Sequence, residues 1–246
     1  MNILICISCV PDTTSTISFV NDDKKFNSDG VQYIIGPYED YALARAVELK
    51  EKDNSIHISV LNVGLESNDP LLRKALAIGA DDAYRIDVFP NDSLFVAHQI
   101  SSFVNKNPFD IILMGKESID FNSGQVHHIT GSLLGIPSLS PVTYLDLNSN
   151  KNKIIIKKEI DNGIETLEVV LPAVLGCQEP IAEWKIPNMR GIMNARTKHL
   201  KVIDQFECVS KINYKKYSLP EKKDNLIIID ENNINELVVA LKLKNL

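Results

Sequence analysis

The chain has 246 residues, 44% of them hydrophobic and 24% charged, with a formal net charge of −6 at pH 7. That length suits one large domain or a domain with an appendage, the composition is globular, and the negative balance gives no reason to expect a nucleic-acid partner. No basic stretch leads into an apolar one and no apolar run approaches ~18 residues, so neither a secretory leader nor a membrane span is expected; with only four scattered cysteines, the expectation is a cytoplasmic protein without a disulfide framework.

The chain opens "MNILICISCVPDTT". The run Ile3-Leu4-Ile5-Cys6-Ile7 suits a strand buried on both faces, as in parallel sheets. Cys6 and Cys9 form a C-x-x-C, but a redox pair sits at a helix start and a zinc site needs a second pair, whereas Cys177 and Cys208 stand singly. Cys6 therefore reads as a small buried residue near the end of a strand. Residues 31–35 read as another strand. Pro37 then marks a helix start, Glu39 and Asp40 suit its positive end, and Leu43, Ala46 and Val47 form its apolar face.

Alternation continues with a strand at 56–63, a helix capped by Asn68-Asp69-Pro70 and ended by Gly79, a short strand at 83–86, a helix at 92–105 and a strand at 110–114. A polar loop, 115–125, leads into a helix ending near Leu134. Strand and helix thus alternate through about the first 140 residues, which predicts an α/β fold with a mainly parallel sheet. The period then changes. Residues 153–159 and 164–171 flank Asp161-Asn162-Gly163 and read as a β-hairpin, with Asn-Gly supplying positive φ. Residues 172–176 read as one more core strand. Residues 178–201 show no periodicity and include Trp184 and the basic end "MNARTKHLK"; residues 202–225 are irregular and lysine-rich, with a last strand at 226–230 and a helix at 234–243.

In an open parallel sheet, ligands bind beyond the C-terminal strand ends. The segments expected there are 8–14, 36–39, 63–66 and 115–125. Ser123 and Gly124 precede a helix whose free N–H groups could hold a phosphate, and Asp120, Asn122 and Gln125 add polar side chains; ordinary helix capping explains the same residues. No P-loop, no G-x-G-x-x-G and no nucleophile elbow occurs. His127 and His128 are helix neighbours that cannot both face one metal, and read as solvent or cleft residues. No catalytic constellation stands out, so the chain reads as one that holds a ligand rather than an enzyme.

Six segments, in order, carry a resemblance: "ILICISCVPDTT", "IIGPYEDYALARAVELKE", "LLRKALAIGADDAYRI", "MGKESIDFNSGQV", "KKEIDNGIETLEVVLPAV" and "GIMNARTK". Over essentially its whole length the chain resembles the beta subunit of electron transfer flavoprotein. The resemblance implies an α/β fold with a mainly parallel twisted sheet, Rossmann-like and adenine nucleotide alpha hydrolase-like, a β-hairpin and an extended C-terminal arm. It divides the chain into a nucleotide-binding core, 1–177, and a recognition loop and arm, 178–246, that pack on an alpha subunit carrying most of the FAD. It implies AMP on this chain, or a second FAD in electron-bifurcating members, in a pocket of Cys6, Gly36, Pro37, Tyr38, Glu39, Val63, Asp120, Asn122, Ser123, Gly124, Gln125, Val126 and Thr130. Gly36 departs from the family's usual Asn. The resemblance further implies docking to acyl-CoA or related dehydrogenases through an apolar anchor, with Ile181 the candidate and Trp184 its rival, and electron delivery through a quinone oxidoreductase to the quinone pool. A stand-alone nucleotide sensor of the universal-stress type is a rival reading that leaves the arm unexplained.

Overall fold

Pairing and core placement follow from the strand sequences. The computed structural model describes residues 1–221 and 226–243. The chain opens with β1 (Asn2–Cys6) and β2 (Cys9–Pro11), so the stretch read as one strand is two, broken at Ile7-Ser8. Next come β3 (Phe19–Val20), β4 (Lys25–Phe26), β5 (Tyr33–Ile35), α1 (Pro37–Lys52), β6 (His57–Gly64) and α2 (Asp69–Ile78). Then follow β7 (Asp82–Asp87), α3 (Ser93–Lys106), β8 (Ile111–Gly115), α4 (Val126–Leu134) and β9 (Ser138–Leu147). The hairpin β10 (Lys153–Ile160) and β11 (Gly163–Val170) precedes β12 (Ala173–Cys177), α5 (Met189–Ala195), β13 (Leu200–Ile203) and α6 (Ile234–Leu243).

Nine strands form one sheet in the order β11-β10-β9-β12-β8-β1-β6-β7-β13. All pairings from β9 to β13 through the centre are parallel; only β9, β10 and β11 pair antiparallel. Successive side chains on a strand face opposite sides, and the sequence exploits this on both faces. Ile3, Ile5, Ile58, Val60, Ile111 and Leu113 pack with α1 and α2 residues such as Leu43 and Leu72. Leu4, Cys6, Leu61, Val63, Ile112 and Met114 pack with Ile100, Phe103 and Val104 of α3. Continuous apolar strands are what burial on two faces requires.

Several expectations need correction. In the hairpin, Ile160 pairs with Gly163, so the turn is Asp161-Asn162 and positive φ falls on Gly163, not on Asn162. Asn68 sits at the N-cap of α2 without capping it; its side-chain amide donates to Asn62 Oδ1 at 3.0 Å. The stretch 178–201 is not irregular throughout. It contains α5, and it enters β13, which completes the sheet by pairing with β7 from Leu200↔Ala83 to Ile203↔Ile86. The basic run serves this docking: Arg73 donates to the carbonyls of Ala195 and Lys198, and the Lys198 ammonium donates to those of Leu76 and Ala80 at the C-terminus of α2, where a cation meets free carbonyls and the negative end of the dipole. Residues 203–212 then run back along α3. Gln99 bonds both the N–H and the carbonyl of Phe206, and Asp92, the N-cap of α3, also accepts from Ser210 Oγ and from the Lys211 and Ile212 amides. The strand expected at 226–230 is absent; an isolated apolar run has no ladder to join. Of the segment read as irregular to 225, residues 222–225 lie outside the described residues.

The chain falls into two compact units. One comprises Met1–Thr16 and Ser28–Asn213, which includes the sheet. The other comprises Ile17–Asn27 and Tyr214–Leu246. Within the second, β3 pairs with β4, the Tyr217 ring stacks on Phe19 at 5.1 Å, and the Tyr217 amide donates to the Asp23 carbonyl at 2.7 Å. On α6, Ile234, Leu237, Val238, Val239 and Leu241 are exposed. Among the described residues, no helix is long and apolar enough to cross a membrane.

Candidate functional site

The parallel strands β1, β6, β8 and β12 carry their C-terminal ends to one edge, where three predicted segments meet. Cys6 ends β1 and lies in the same apolar cluster as Val63 and Met114, with Val126 of α4 packed against it. Burial, with the nearby Glu39 charge adding to it, raises the Cys6 thiol far above its ordinary range, so it is inert packing rather than a nucleophile. Cys9 is raised to about 12 by the same causes, with Asp120 contributing.

Gly36 is the N-cap of α1 and makes no side-chain cap. Its missing side chain has another use. A Cβ there would collide with Glu39 Oε2 and stand 2.6 Å from Ser8 Oγ, and one at Gly115 would stand 2.8 Å from the Glu39 carboxyl and 2.9 Å from Tyr38 Cβ. The two glycines therefore make room for Glu39, which is 5% exposed. Glu39 Oε1 accepts from Ser8 Oγ at 2.5 Å, while Oε2 is buried without a hydrogen-bond partner among the described residues. Burial raises this carboxyl to about 7, against the lowering effect of the Ser8 hydroxyl and with a small further rise from Asp120. The carboxylates that suit a helix dipole in sequence are thus both buried here, Asp40 at 7% exposed.

The loop between β8 and α4 closes over this end. Lys116 lies 4.8 Å above the Tyr38 ring, tying the loop to the first turn of α1. Asn122 and Gly124 adopt left-handed conformations, φ 48° and 59°, which turn the chain into α4. Asp120 Oδ1 accepts from the Phe121 amide at 2.9 Å, and Ser123 Oγ lies 3.0 Å from Ser93 Oγ at the start of α3. Gln125 is the N-cap of α4 and makes no side-chain cap, and no acidic residue occupies the first turn. Thr130 is fully buried with its hydroxyl unpartnered. His127 is not a solvent residue: it is buried, Nε2 donates to the Lys116 carbonyl at 2.8 Å, and burial lowers its pKa to about 4. His128 is the exposed one of the pair.

The electrostatics have a direction. The α1 end offers Pro37, which has no N–H, and two carboxylates in its first turn. The α4 end offers uncapped N–H groups and no first-turn acid, and the loop before it carries Glu117 and Asp120. An anionic group suits the second end and a neutral one the first.

Ser8, Gly115 and Lys116 fall in the segments 8–14 and 115–125 expected at this edge, but the sequence singled out none of them individually. Lys116 stood within the quoted loop, but nothing marked its stacking on Tyr38. Ser8 carried no local signal, since its role depends on β1 ending beside α1.

The candidate docking loop behaves differently from expectation. Ile181 is 4% exposed and packs in the main core cluster, so its side chain is committed to the chain's own interior and is not available as an anchor. Trp184 is 56% exposed. Its indole Nε1 donates to Asp40 Oδ2 at 3.1 Å, and the Lys74 ammonium, 3.4 Å from the same oxygen, lies 5.8 Å from the ring centroid. Among the described residues, no cluster of three His, Cys, Asp or Glu side chains could hold a metal.

The family model described as "Electron transfer flavoprotein domain" matches residues 23–206. Electron transfer flavoprotein subunit beta of Bacillus subtilis (strain 168) is 30% identical over 235 residues, covering 91% of this chain and 90% of its own length. The subunit of the same name from Syntrophomonas wolfei is 30% identical, covering 94% of this chain and 90% of its own. The human subunit is 29% identical over 208 residues, covering 82% and 81%. Matched by the family model over residues 23–206 and by relatives at 30% identity over nearly their whole length, the chain belongs to the electron transfer flavoprotein beta-subunit family.

Proposed function

We propose that this chain is the beta half of a heterodimeric electron transfer flavoprotein and that its strand-end cleft holds AMP. The observation that carries the nucleotide reading is the charge polarity of the cleft, acidic at the first turn of α1 and acid-free at that of α4. In this reading Cys6 and Val63 pack against the base, Gly36 to Glu39 border it, and Asp120, Asn122, Ser123, Gly124, Gln125, Val126 and Thr130 form the ribose and phosphate side. The alpha subunit holds most of the FAD, whose flavin supplies the redox chemistry; this chain encloses it and contributes no catalytic residue. Electrons come from acyl-CoA or related flavin dehydrogenases and leave through a quinone oxidoreductase. Trp184 takes the docking role from the buried Ile181.

The loop sequences Val10-Pro11-Asp12-Thr13 and Ser123-Gly124-Gln125-Val126 favour a second reading, in which the same cleft holds a second FAD that takes part in electron bifurcation. One experiment separates the two: co-expression with the alpha subunit, denaturation of the purified complex and chromatographic quantification of the released nucleotides. About one FAD and one AMP per heterodimer supports the first reading. Two FAD and no AMP replaces it with the second, and no adenine nucleotide beyond one FAD refutes both. The arm is tested by truncation after Asn213, which spares β13 and the 203–212 segment. Retention of the heterodimer would refute the arm's role in pairing.

A further inference from the structure

Beside Trp184 lies an open cleft of roughly 630 Å³, between α1 and the 179–184 loop. Tyr41, Trp184 and Pro180 give it apolar walls, and Glu48, Glu179 and Glu183 give it three carboxyls. Two further observations say what it would take. First, one of the three carboxyls is already taken: Glu48 pairs with the buried Arg45 at 2.7 Å. The other nearby cations are committed, Lys74 to Asp40 and Lys185 to Glu51. Among the described residues, no cation pairs with Glu179 or Glu183. Second, the indole of Trp184 is tied at one point. Its one polar atom donates to Asp40 and the Lys74 ammonium lies 5.8 Å from its ring centroid, so the exposed remainder is an aromatic surface that already attracts a cation. Half-exposed tryptophans are the side chains around which interfaces concentrate binding energy.

We propose that this cleft receives an arginine side chain carried by a protein partner. A planar guanidinium can stack on an aromatic ring while its fork meets two carboxylates, which a compact ammonium cannot do at once. The inference deepens the docking reading of Trp184 and rests on it for the kind of partner. The cation chemistry is tested separately, on the full chain alone, so a failure of one is distinguishable from a failure of the other.

Trp184 is the only tryptophan, so its fluorescence reports the cleft directly. The probe is an acetylated, amidated Gly-Arg-Gly tripeptide, with Gly-Lys-Gly and spermidine as competitors of equal or higher charge. The expected result is saturable quenching by the arginine peptide. It should weaken about tenfold in the double variant Glu179→Gln/Glu183→Gln and fall as ionic strength is raised. A second double variant, Glu165→Gln/Glu168→Gln on the hairpin, removes the same charge elsewhere and should leave binding unchanged. Circular dichroism shows that both variants are folded. No saturable quenching, or equal weakening in the two double variants, overturns the proposal. Lysine peptide or spermidine binding as tightly as the arginine peptide overturns the assignment of arginine.

Discussion

Asp92 is the point at which residues 210–212 are pinned to α3, and its replacement by alanine gives a quantitative test. The carboxylate is 5% exposed and accepts from Phe95 N at 2.7 Å, Ser210 Oγ at 2.5 Å, Lys211 N at 2.9 Å and Ile212 N at 3.2 Å. Loss of an N-cap costs about 1 kcal/mol. Leaving the two segment amides without an acceptor adds about 1 kcal/mol each. The total is about 3 kcal/mol, and the lowering of this carboxyl to about 2 by its hydrogen bonds, against the opposing effect of burial, has the same sign. Asp92→Ala should lower the melting temperature by roughly 6–12 °C for a chain of this size. Amide hydrogen exchange should accelerate at Lys211 and Ile212 before it does in β1 or β8. Because the folded-state pKa is depressed, the contribution is complete above the unfolded value near 4 and is lost as pH falls through about 2. The variant should therefore converge on the parent at low pH. A variant within about 0.5 kcal/mol of the parent at pH 7 in urea unfolding, with residues 211 and 212 still protected, would refute the clamp.

Three other outcomes are expected. Glu39 is raised, so folding takes up a proton between about pH 4.5 and 7 and stability falls with rising pH across that window; Glu39→Gln should gain on the parent through the window and hold its advantage above it, and parallel stability–pH curves for the two proteins would contradict the burial argument. Gly191→Ala puts a Cβ into the Ala77 carbonyl oxygen where α5 meets α2; a loss of about 1–3 kcal/mol in urea unfolding is expected, and an unchanged midpoint would mean the helices can separate freely. Cys6 and Cys177 are buried with thiols raised well above their ordinary range; iodoacetamide at pH 8 followed by peptide mass mapping should leave both unlabelled in the native chain, and rapid labelling of either would disprove their burial.

Local pattern located what local pattern builds. The apolar runs of β1, β6 and β8 and the helices between them stand close to their expected limits, because both depend on neighbours in sequence. What escaped reading depends on distant partners. β9 carries Pro141 near its middle, and its polar–apolar alternation breaks there, so it lacks a strand's usual signature and is held by β12 and β10. β13 is four residues in a basic run and exists because β7 offers an edge. Ile181 was the candidate anchor because the resemblance puts a docking loop there, yet its burial is decided by the core behind it. Glu39 was legible as a helix-start residue; that two glycines and Ser8 enclose its carboxyl was not, since those residues come from three separate segments.

The late arrival of β13 bears on how the protein is made. Roughly a hundred residues separate β7 from the strand that covers it. At elongation rates of about 5–20 residues per second, a nascent chain carries the β7 edge uncovered for on the order of ten seconds. An open strand edge is a template for pairing with another chain. During synthesis the molecule is thus a candidate client for chaperones at one identifiable strip, and that strip is closed by its own C-terminal third.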